Sequence, residues 1–358
     1  MMSNTHKTDW VLRLRLRRQL LEGSGIDSPE GVVASMTAMQ AQDHGAARWS
    51  VAQRARTPLA ASVVDTAFDE GRFLRTHVLR PTWHFVVPGD LRWLIELTGP
   101  RVEAANGRHY RELELDPRTL KQSEMVIAEA VAEGPRTRNE IGTILEAKRI
   151  PVVGERLTYM LMHAELSATI CSGPKRGRQH TYAAFDSRVP DSPGPSGEES
   201  LAVLARRYFS SRGPASVRDF AWWSGLSATD ASRALDLARE ALASVEVGTT
   251  SLWFPEAVVP SRRRPRVDLV ACYDEFVMSY SATRSLMTGP GFDFPAPGYV
   301  DGFRHVVLVD GRLAGHWRTA SPASSGISTR PARLLGETEL TALDRACEWY
   351  KQFAEPGK

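Results

Sequence analysis

Apolar positions recur at helical spacing from the start of the chain. Residues 9–22 form the first predicted helix, with arginines on one side and a leucine face made of Leu12, Leu16, Leu20 and Leu21. A second helix is predicted to begin at Ser28-Pro29-Glu30, because Ser is a favoured N-cap and Pro fits the first helical position. Asp43 is the predicted N-cap of a third helix over residues 44–56.

The pattern then changes to one typical of strands. Residues 72–87, RFLRTHVLRPTWHFVV, are rich in aromatic and β-branched residues and predict two strands divided at Pro81. Three helices followed by a two-stranded hairpin are typical of a winged-helix domain.

A similar order occurs twice more, 79 residues apart. Gly134-Pro135-Arg136-Thr137-Arg138-Asn139-Glu140 resembles Gly213-Pro214-Ala215-Ser216-Val217-Arg218-Asp219. In each copy the Thr or Ser is a predicted N-cap, and the acid three residues later closes a capping box. Each copy continues with a second helix and two strands; these are predicted over 152–166 with 168–185, and over 227–243 with 244–254. The repeat predicts tandem winged helices.

The last third of the chain is rich in predicted strands. A Pro/Gly/Ser-rich linker covers residues 187–199. Beyond it we predict a strand or strand pair over 267–280, a hairpin with an Asp-Gly turn over 305–317, and a closing helix over 337–353. The prediction is therefore an α+β fold of tandem winged-helix domains followed by a C-terminal β-barrel-like domain. The predicted boundaries are 1–115, 116–190, 198–256 and 257–358.

Composition narrows the class of protein. The chain has 358 residues, 42% of them hydrophobic and 24% charged, which is typical of a globular protein. No apolar run reaches the roughly 18–20 residues that span a bilayer, and the N-terminus has no apolar signal core, so we expect a cytoplasmic protein. Cys171, Cys272 and Cys347 are far apart and predict neither disulfides nor a zinc site. The net charge of +3 does not identify a partner.

Two uncharged amides, Gln40 and Gln42, stand between the second and third predicted helices. Side chains at i and i+2 diverge on a helix but point the same way in an extended segment. Amide oxygens can orient a water and stabilise a nearby cation. That chemistry suits hydrolysis of an N-glycosidic bond to a positively charged, N-alkylated purine, whose departure needs no protonation. The alternative is that both amides cap helix ends or bind the backbone.

Several short motifs are distributed over nearly the whole chain. They are Met39-Gln40-Ala41-Gln42-Asp43, Arg80-Pro81-Thr82-Trp83-His84-Phe85, Pro88-Gly89-Asp90-Leu91, His163-Ala164-Glu165-Leu166, Cys171-Ser172-Gly173-Pro174, Arg218-Asp219-Phe220-Ala221-Trp222-Trp223-Ser224-Gly225-Leu226 and Tyr273-Asp274-Glu275-Phe276. In combination they resemble the AlkZ/YcaQ superfamily of bacterial winged-helix DNA glycosylases.

The resemblance implies three tandem winged helices and a C-terminal barrel arranged around duplex DNA. It implies a nucleoid-associated, monofunctional glycosylase without metal or cofactor that removes bulky N7-alkylated guanines and, in some members, unhooks interstrand crosslinks. Gln40, Ala41 and Gln42 match the Gln-x-Gln catalytic motif of the AlkZ-like branch. By that match both glutamines hold the attacking water and support the positive charge on the sugar. The partner is then double-stranded DNA containing alkylated bases, and we expect a monomer.

Two basic clusters are candidate DNA contacts. One is the predicted wing loop with Lys175, Arg176, Arg178 and His180, and the other is the run Arg262, Arg263 and Arg264. Cations in such loops suit phosphate or minor-groove contact. The alternatives are a solvated turn for the first cluster and a charged linker for the second.

His84 and Asp274 are candidate supporting residues. His84 could act as a general base or DNA contact, or could be a hydrogen-bonded histidine of a packed strand. Asp274 and Glu275 fall in a predicted β-segment, where neighbours point to opposite faces and cannot flank one bond. We therefore expect one of these acids to be structural.

Two other functions fit the same predicted fold. A non-catalytic winged-helix DNA-binding protein, such as a regulator or damage sensor, would bind damaged DNA without releasing a base. A scaffold whose repeats do not touch DNA would show no salt-sensitive DNA binding.

Overall fold

The computed structural model describes residues 4–23, 25–57, 59–256, 265–288, 305–319 and 326–355. Its α-helices in these ranges are α1 (Asn4–Arg18), α2 (Pro29–Met36), α3 (His44–Ala52), α4 (Ala61–Asp69), α5 (Pro88–Glu112), α6 (Pro117–Ala132), α7 (Arg138–Ala147), α8 (Arg156–Leu166), α9 (Gly197–Arg212), α10 (Val217–Ser224), α11 (Ala228–Ala238), α12 (Glu275–Met278) and α13 (Glu337–Ala354). Its strands are β1 (Met39–Gln40), β2 (Leu74–Val78), β3 (Arg80–Val86), β4 (Arg136–Thr137), β5 (Ile170–Ser172), β6 (Thr181–Ala184), β7 (Ala243–Val247), β8 (Thr250–Phe254), β9 (Val267–Val270), β10 (Val306–Val309), β11 (Arg312–Thr319) and β12 (Ile327–Pro331).

The chain divides into two compact units. The first, here called the elbow unit, comprises residues 1–65, 202–223 and 227–358. The second, here called the wing unit, comprises residues 66–201 and 224–226. Each unit is described by itself below.

The predicted helix starts at Ser28 and Asp43 are confirmed, whereas the first helix, predicted over residues 9–22, covers Asn4–Arg18. The Ser28 side chain accepts a hydrogen bond from the Gly31 amide at 3.1 Å, and Asp43 accepts one from the Ala46 amide at 3.0 Å. Each satisfies a backbone donor that the first helical turn leaves without a partner. However, α3 ends at Ala52, and the sequence did not predict α4, which precedes the β2–β3 hairpin.

The predicted repeat is present as a recurring order of elements. In the wing unit, α6 is followed by β4, α7, α8 and the β5–β6 hairpin, and β4 pairs with β6. In the second copy, α9 is followed by an isolated bridge between Ala215 and Trp253, then by α10, α11 and the β7–β8 hairpin. Thr137 with Glu140 forms the predicted capping box. Ser216 and Asp219 exchange backbone-to-side-chain hydrogen bonds of 3.0 and 3.1 Å in the same way.

Helices α6, α7 and α8 enclose the apolar core of the first copy. Ile127, Ile141, Leu145 and Met160 are among its fully buried members. Full burial of each such side chain contributes about 1.5–3 kcal/mol. This packing holds β4 and the β5–β6 hairpin against the three helices.

The C-terminal strands form an open sheet. The order is β12-β11-β10-β9, all antiparallel, and the described strands do not close into a barrel because β9 and β12 do not pair. The Asp310-Gly311 turn has positive φ at both residues, as the Asp-Gly pair predicted. The closing helix is confirmed as α13 and packs against β9.

One strand prediction in this region was wrong. Residues 267–280 form β9, then a turn with Tyr273 at φ 62°, then the short helix α12. The Asp274 side chain accepts from the Phe276 amide at 2.8 Å and thereby starts the helix. This local hydrogen bond competes successfully with the β propensity of the surrounding residues.

The capping box leads to a pH prediction. Hydrogen bonds to Glu140, first from the Thr137 amide and then from Arg176, lower the pKa of its carboxyl from 4.5 to about 2. Because the pKa in the folded protein is below the unfolded value, the stabilisation is complete above the unfolded pKa and is lost as pH falls toward the folded pKa. We expect NMR titration of Glu140 to show the low pKa, and Arg176→Ala to raise it. Titration at 4.5 in the native protein would contradict this assignment.

Candidate functional site

The two glutamines lie in an elbow, residues 37–43, that joins α2 to α3. The chain turns at Thr37, whose φ of 64° is unusual for a β-branched residue. It then becomes extended through β1, Met39–Gln40, before Asp43 starts α3. The pair therefore lies in the connector between the two helices, where the spacing placed it; Gln40 is in the extended strand, and Gln42 lies in the bend that leads into α3.

The elbow gives its two amides different surroundings. Gln40 is only 5% exposed, whereas Gln42 is exposed. Between them, Ala41 is completely buried. The small middle residue of the motif therefore fits a packed interior, and the next amide stands at the surface.

A buried arginine holds the backbone of the elbow on one side. Arg212, at the end of α9, is fully buried and donates from Nη1 to the Met36 carbonyl at 2.8 Å and from Nη2 to the Ala38 carbonyl at 2.7 Å. These two carbonyls flank the strained Thr37. The guanidinium therefore stabilises the turn by binding the carbonyls on both sides of it.

A buried glutamate holds the following residue. Glu275 Oε1 accepts from the backbone N–H of Gln40 at 2.8 Å, and Glu275 Oε2 lies 2.6 Å from Arg212 Nη2. Trp223 Nε1 and Ser279 Oγ also donate to Oε2, at 3.0 and 2.8 Å. A single ion pair thus binds the elbow backbone before its turn, at Met36, and after it, at Ala38 and Gln40, and the charges are hydrogen-bonded, as burial requires.

The Asp274 carboxylate binds the side chains that directly follow α3. Its carboxylate accepts from Arg54 Nη1 and Nη2, both at 2.8 Å, and from Gln53 Nε2 at 3.3 Å. Arg54 and Gln53 follow α3 directly. Asp274 and Glu275 are therefore both buried structural acids, in place of the one structural acid expected from the sequence.

The groups near Asp43 are held in neutral forms. Burial, with a smaller contribution from the charge of Asp43, raises the pKa of the Cys272 thiol to about 12. Burial lowers the pKa of His305, against the opposing effect of Asp43, and His305 Nδ1 accepts from the Cys272 amide at 2.9 Å. A protonated thiol is a poor nucleophile, so Cys272 does not suit covalent catalysis at neutral pH.

The other candidates lie in the wing unit or outside the described residues. His84 is fully buried and its Nδ1 is 2.9 Å from the Thr82 carbonyl, as in the strand-histidine alternative. Arg176 is paired with Glu140 at 2.6 Å, Arg178 is exposed, and the Lys175 amide donates to Asp69 at 2.7 Å. His180 contacts Phe68 edge to face. The cluster Arg262, Arg263 and Arg264 lies outside the described residues.

Neither a metal site nor a membrane-spanning helix is found in the described ranges. No group of three or more His, Cys, Asp and Glu side chains there could hold a metal ion. None of the helices in those ranges is long and apolar enough to cross a membrane.

Sequence reasoning missed Arg212 and underrated Glu275. Glu275 belongs to a motif that was identified, Tyr273-Asp274-Glu275-Phe276, but the β prediction concealed its role. Arg212 directly precedes the second copy of the Gly-Pro repeat, and that position was its only signal.

Comparison with known proteins identifies the family. A family model described as DNA glycosylase AlkZ-like matches residues 33–353. The fold is similar to that of Streptomyces sahachiroi DNA glycosylase AlkZ, with a TM-score of 0.80 and 21% sequence identity over 97% of this chain and 96% of that one. No match was found among curated protein sequences. Because the family model spans most of its length, the chain belongs to the AlkZ-like DNA glycosylase family.

Proposed function

We propose that this protein hydrolyses the N-glycosidic bond of N7-alkylated purines in double-stranded DNA. The observation that carries the proposal is the elbow: Arg212 and Glu275 fix its backbone, and it bears Gln40 and Gln42 two residues apart. A rigid backbone is what electrostatic catalysis by neutral amides needs, since such groups act through their position and not through proton transfer.

The amides fit the charge changes of this reaction. The oxygen of a water forms a bond to C1′ of the sugar while the bond from C1′ to the base nitrogen breaks. The electron pair of that bond goes to the alkylated base and cancels its positive charge, and the water releases a proton to solvent. Amide oxygens of Gln40 and Gln42 orient the water and stabilise the oxocarbenium-like sugar.

The sequence also supports monofunctional hydrolysis. An associated strand-cleaving activity commonly requires an amine that forms a Schiff base with the sugar. Residues 8–120, which include the elbow, contain no lysine. We therefore propose that water is the nucleophile and that the product is an abasic site in an intact strand.

The recurring order of helix, short strand, helix, helix and hairpin supports a winged-helix interpretation of the fold. Such domains bind DNA through helices and wings. We propose that the exposed cations of the loop between β5 and β6, among them Arg178, contact DNA phosphates. A non-catalytic DNA-binding protein is the second candidate, because the same elements serve regulators.

Base release from a defined duplex tests the proposal. The substrates carry one N7-methylguanine or one N7-mustard-alkylated guanine, with an undamaged duplex as the control, and alkali converts abasic sites into strand breaks. We expect strand breaks only in the alkylated duplexes and only after alkali treatment. The same assay on duplexes with an interstrand crosslink would show whether crosslinks are also substrates. Salt-dependent binding without release from either lesion would contradict catalysis and favour the regulator.

A further inference from the structure

The wing unit contains a cleft of about 310 Å³ whose chemistry differs from that of the elbow. It lies where the β2–β3 hairpin, the start of α7 and β6 approach one another. Its principal lining side chains are aromatic or cationic: Arg75, Trp83, Arg138, His180 and Tyr182. This wing cleft uses the Trp of the Arg80-to-Phe85 motif, to which the catalytic proposal assigns no role.

The aromatic part of the wing cleft is held in place. The Arg75 guanidinium carbon lies 4.2 Å from the centroid of the Trp83 ring, and the His77 ring centroid lies 4.3 Å from the same ring. His77 is itself bonded to buried Glu165. Trp83 is nevertheless only partly buried. A partly exposed aromatic ring with a guanidinium over one face forms a cation–π stack, which a nucleobase can extend by stacking on it.

The polar part of the wing cleft favours an anion. Arg75 and Arg138 both line the cleft, and both interact electrostatically with the Tyr182 hydroxyl. Arg138 is oriented by a 2.8 Å hydrogen bond from its Nη2 to Thr158 Oγ1. The described residues that line the cleft include no carboxylate. Two guanidinium groups in a cleft without a carboxylate in its lining are suited to phosphate.

We propose that the wing cleft binds one unpaired nucleotide of a DNA strand, with its phosphate on Arg75 and Arg138 and its base against Trp83. The volume is at the small end of ligand sites and suits a single nucleotide. The nucleotide must be unpaired because a base inside a duplex stack presents no face to a protein ring. This inference rests on the DNA-binding part of the proposed function.

Fluorescence anisotropy with two undamaged duplexes tests the wing cleft. One duplex is fully paired and the other carries a single-nucleotide bulge. We expect the full-length protein to bind the bulged duplex about 10-fold more tightly, the effect of one aromatic–base stack. Trp83→Ala should remove this preference and leave affinity for the paired duplex unchanged, whereas Trp83→Phe should keep most of it. Arg75→Ala should reduce the preference, and Arg108→Ala, which changes an exposed helix cation, should not.

The outcomes separate this inference from the proposed function. Binding of both duplexes with equal affinity overturns the wing cleft alone, and base release from alkylated DNA can still be measured. Absence of binding to either undamaged duplex also overturns the wing cleft, and base release from the alkylated duplexes then decides the proposed function by itself. Because Trp83→Ala removes contacts with His77, circular dichroism checks its fold. If that variant does not fold, Trp83→Phe and Arg75→Ala decide: unchanged preference in Arg75→Ala overturns the phosphate assignment.

Discussion

Replacement of Gln42 by alanine is expected to lower the rate constant of base release by about 10²–10³, the usual effect of removing one preorganised electrostatic group. Gln42 is exposed, so its removal should change the free energy of unfolding by no more than about 0.5 kcal/mol. Loss of rate without loss of stability would assign the residue to the chemistry. The measurement is single-turnover release from a duplex with one N7-methylguanine, together with thermal unfolding.

Gln40→Ala should have a similar effect on the rate with an added cost in stability, because Gln40 is buried. If both amides position the same water, the double variant should lose little more than either single variant. Additive losses would indicate separate roles. Gln122→Ala is the matched control, since Gln122 is an exposed amide on α6. Wild-type rates in Gln42→Ala would return that residue to the backbone-binding alternative.

Disruption of the Arg212–Glu275 pair should have the largest effect on stability. Both side chains are at most 1% exposed, and removing one partner of a buried pair leaves an uncompensated charge at a cost of about 3–5 kcal/mol. We therefore expect Glu275→Ala and Arg212→Met to lower the free energy of unfolding strongly. Urea unfolding measures this directly.

A further variant separates stability from positioning. Arg212→Met with Glu275→Leu removes both charges, so part of the stability should return. The carbonyls of Met36 and Ala38 and the backbone N–H of Gln40 still lose their partners. Base release should therefore stay low, with kcat reduced more than KM is raised. Arg15→Met is the control, because Arg15 is a fully buried arginine of the elbow unit that bonds Pro214 and Thr283 instead. Recovery of base release together with stability would contradict the positioning role.

Local chemistry explains which predictions from the sequence were confirmed. Ser28, Asp43 and Thr137 cap helices by bonding amides only three residues away. Asp310-Gly311 forms its turn because both residues tolerate positive φ. These interactions depend on neighbours in the chain, so the sequence shows them. The position of the elbow between two helices is likewise set by local signals, the end of α2 and the Asp43 cap of α3.

The sequence-based predictions that were wrong or incomplete have a different cause. The helix α4, a nine-residue segment rich in small and β-branched residues, has weak helical propensity of its own. The strand predicted through Asp274 became a helix because its carboxylate caps one and is held by Arg54, 220 residues away in sequence. Whether sheet edges close into a barrel is likewise a property of distant strands, and the described strands stay open.

The sequence alone therefore determined the two glutamines, their spacing and the connector between helices that carries them, since each follows from residue type and local hydrogen bonding. Only the tertiary structure decided what holds that connector. Glu275 accepts from the backbone N–H of Gln40, 235 residues away in sequence, and Arg212 donates to the Met36 carbonyl, 176 residues away. No local pattern encodes such pairs, because their stability comes from burial, and burial exists only once the distant segments have packed together.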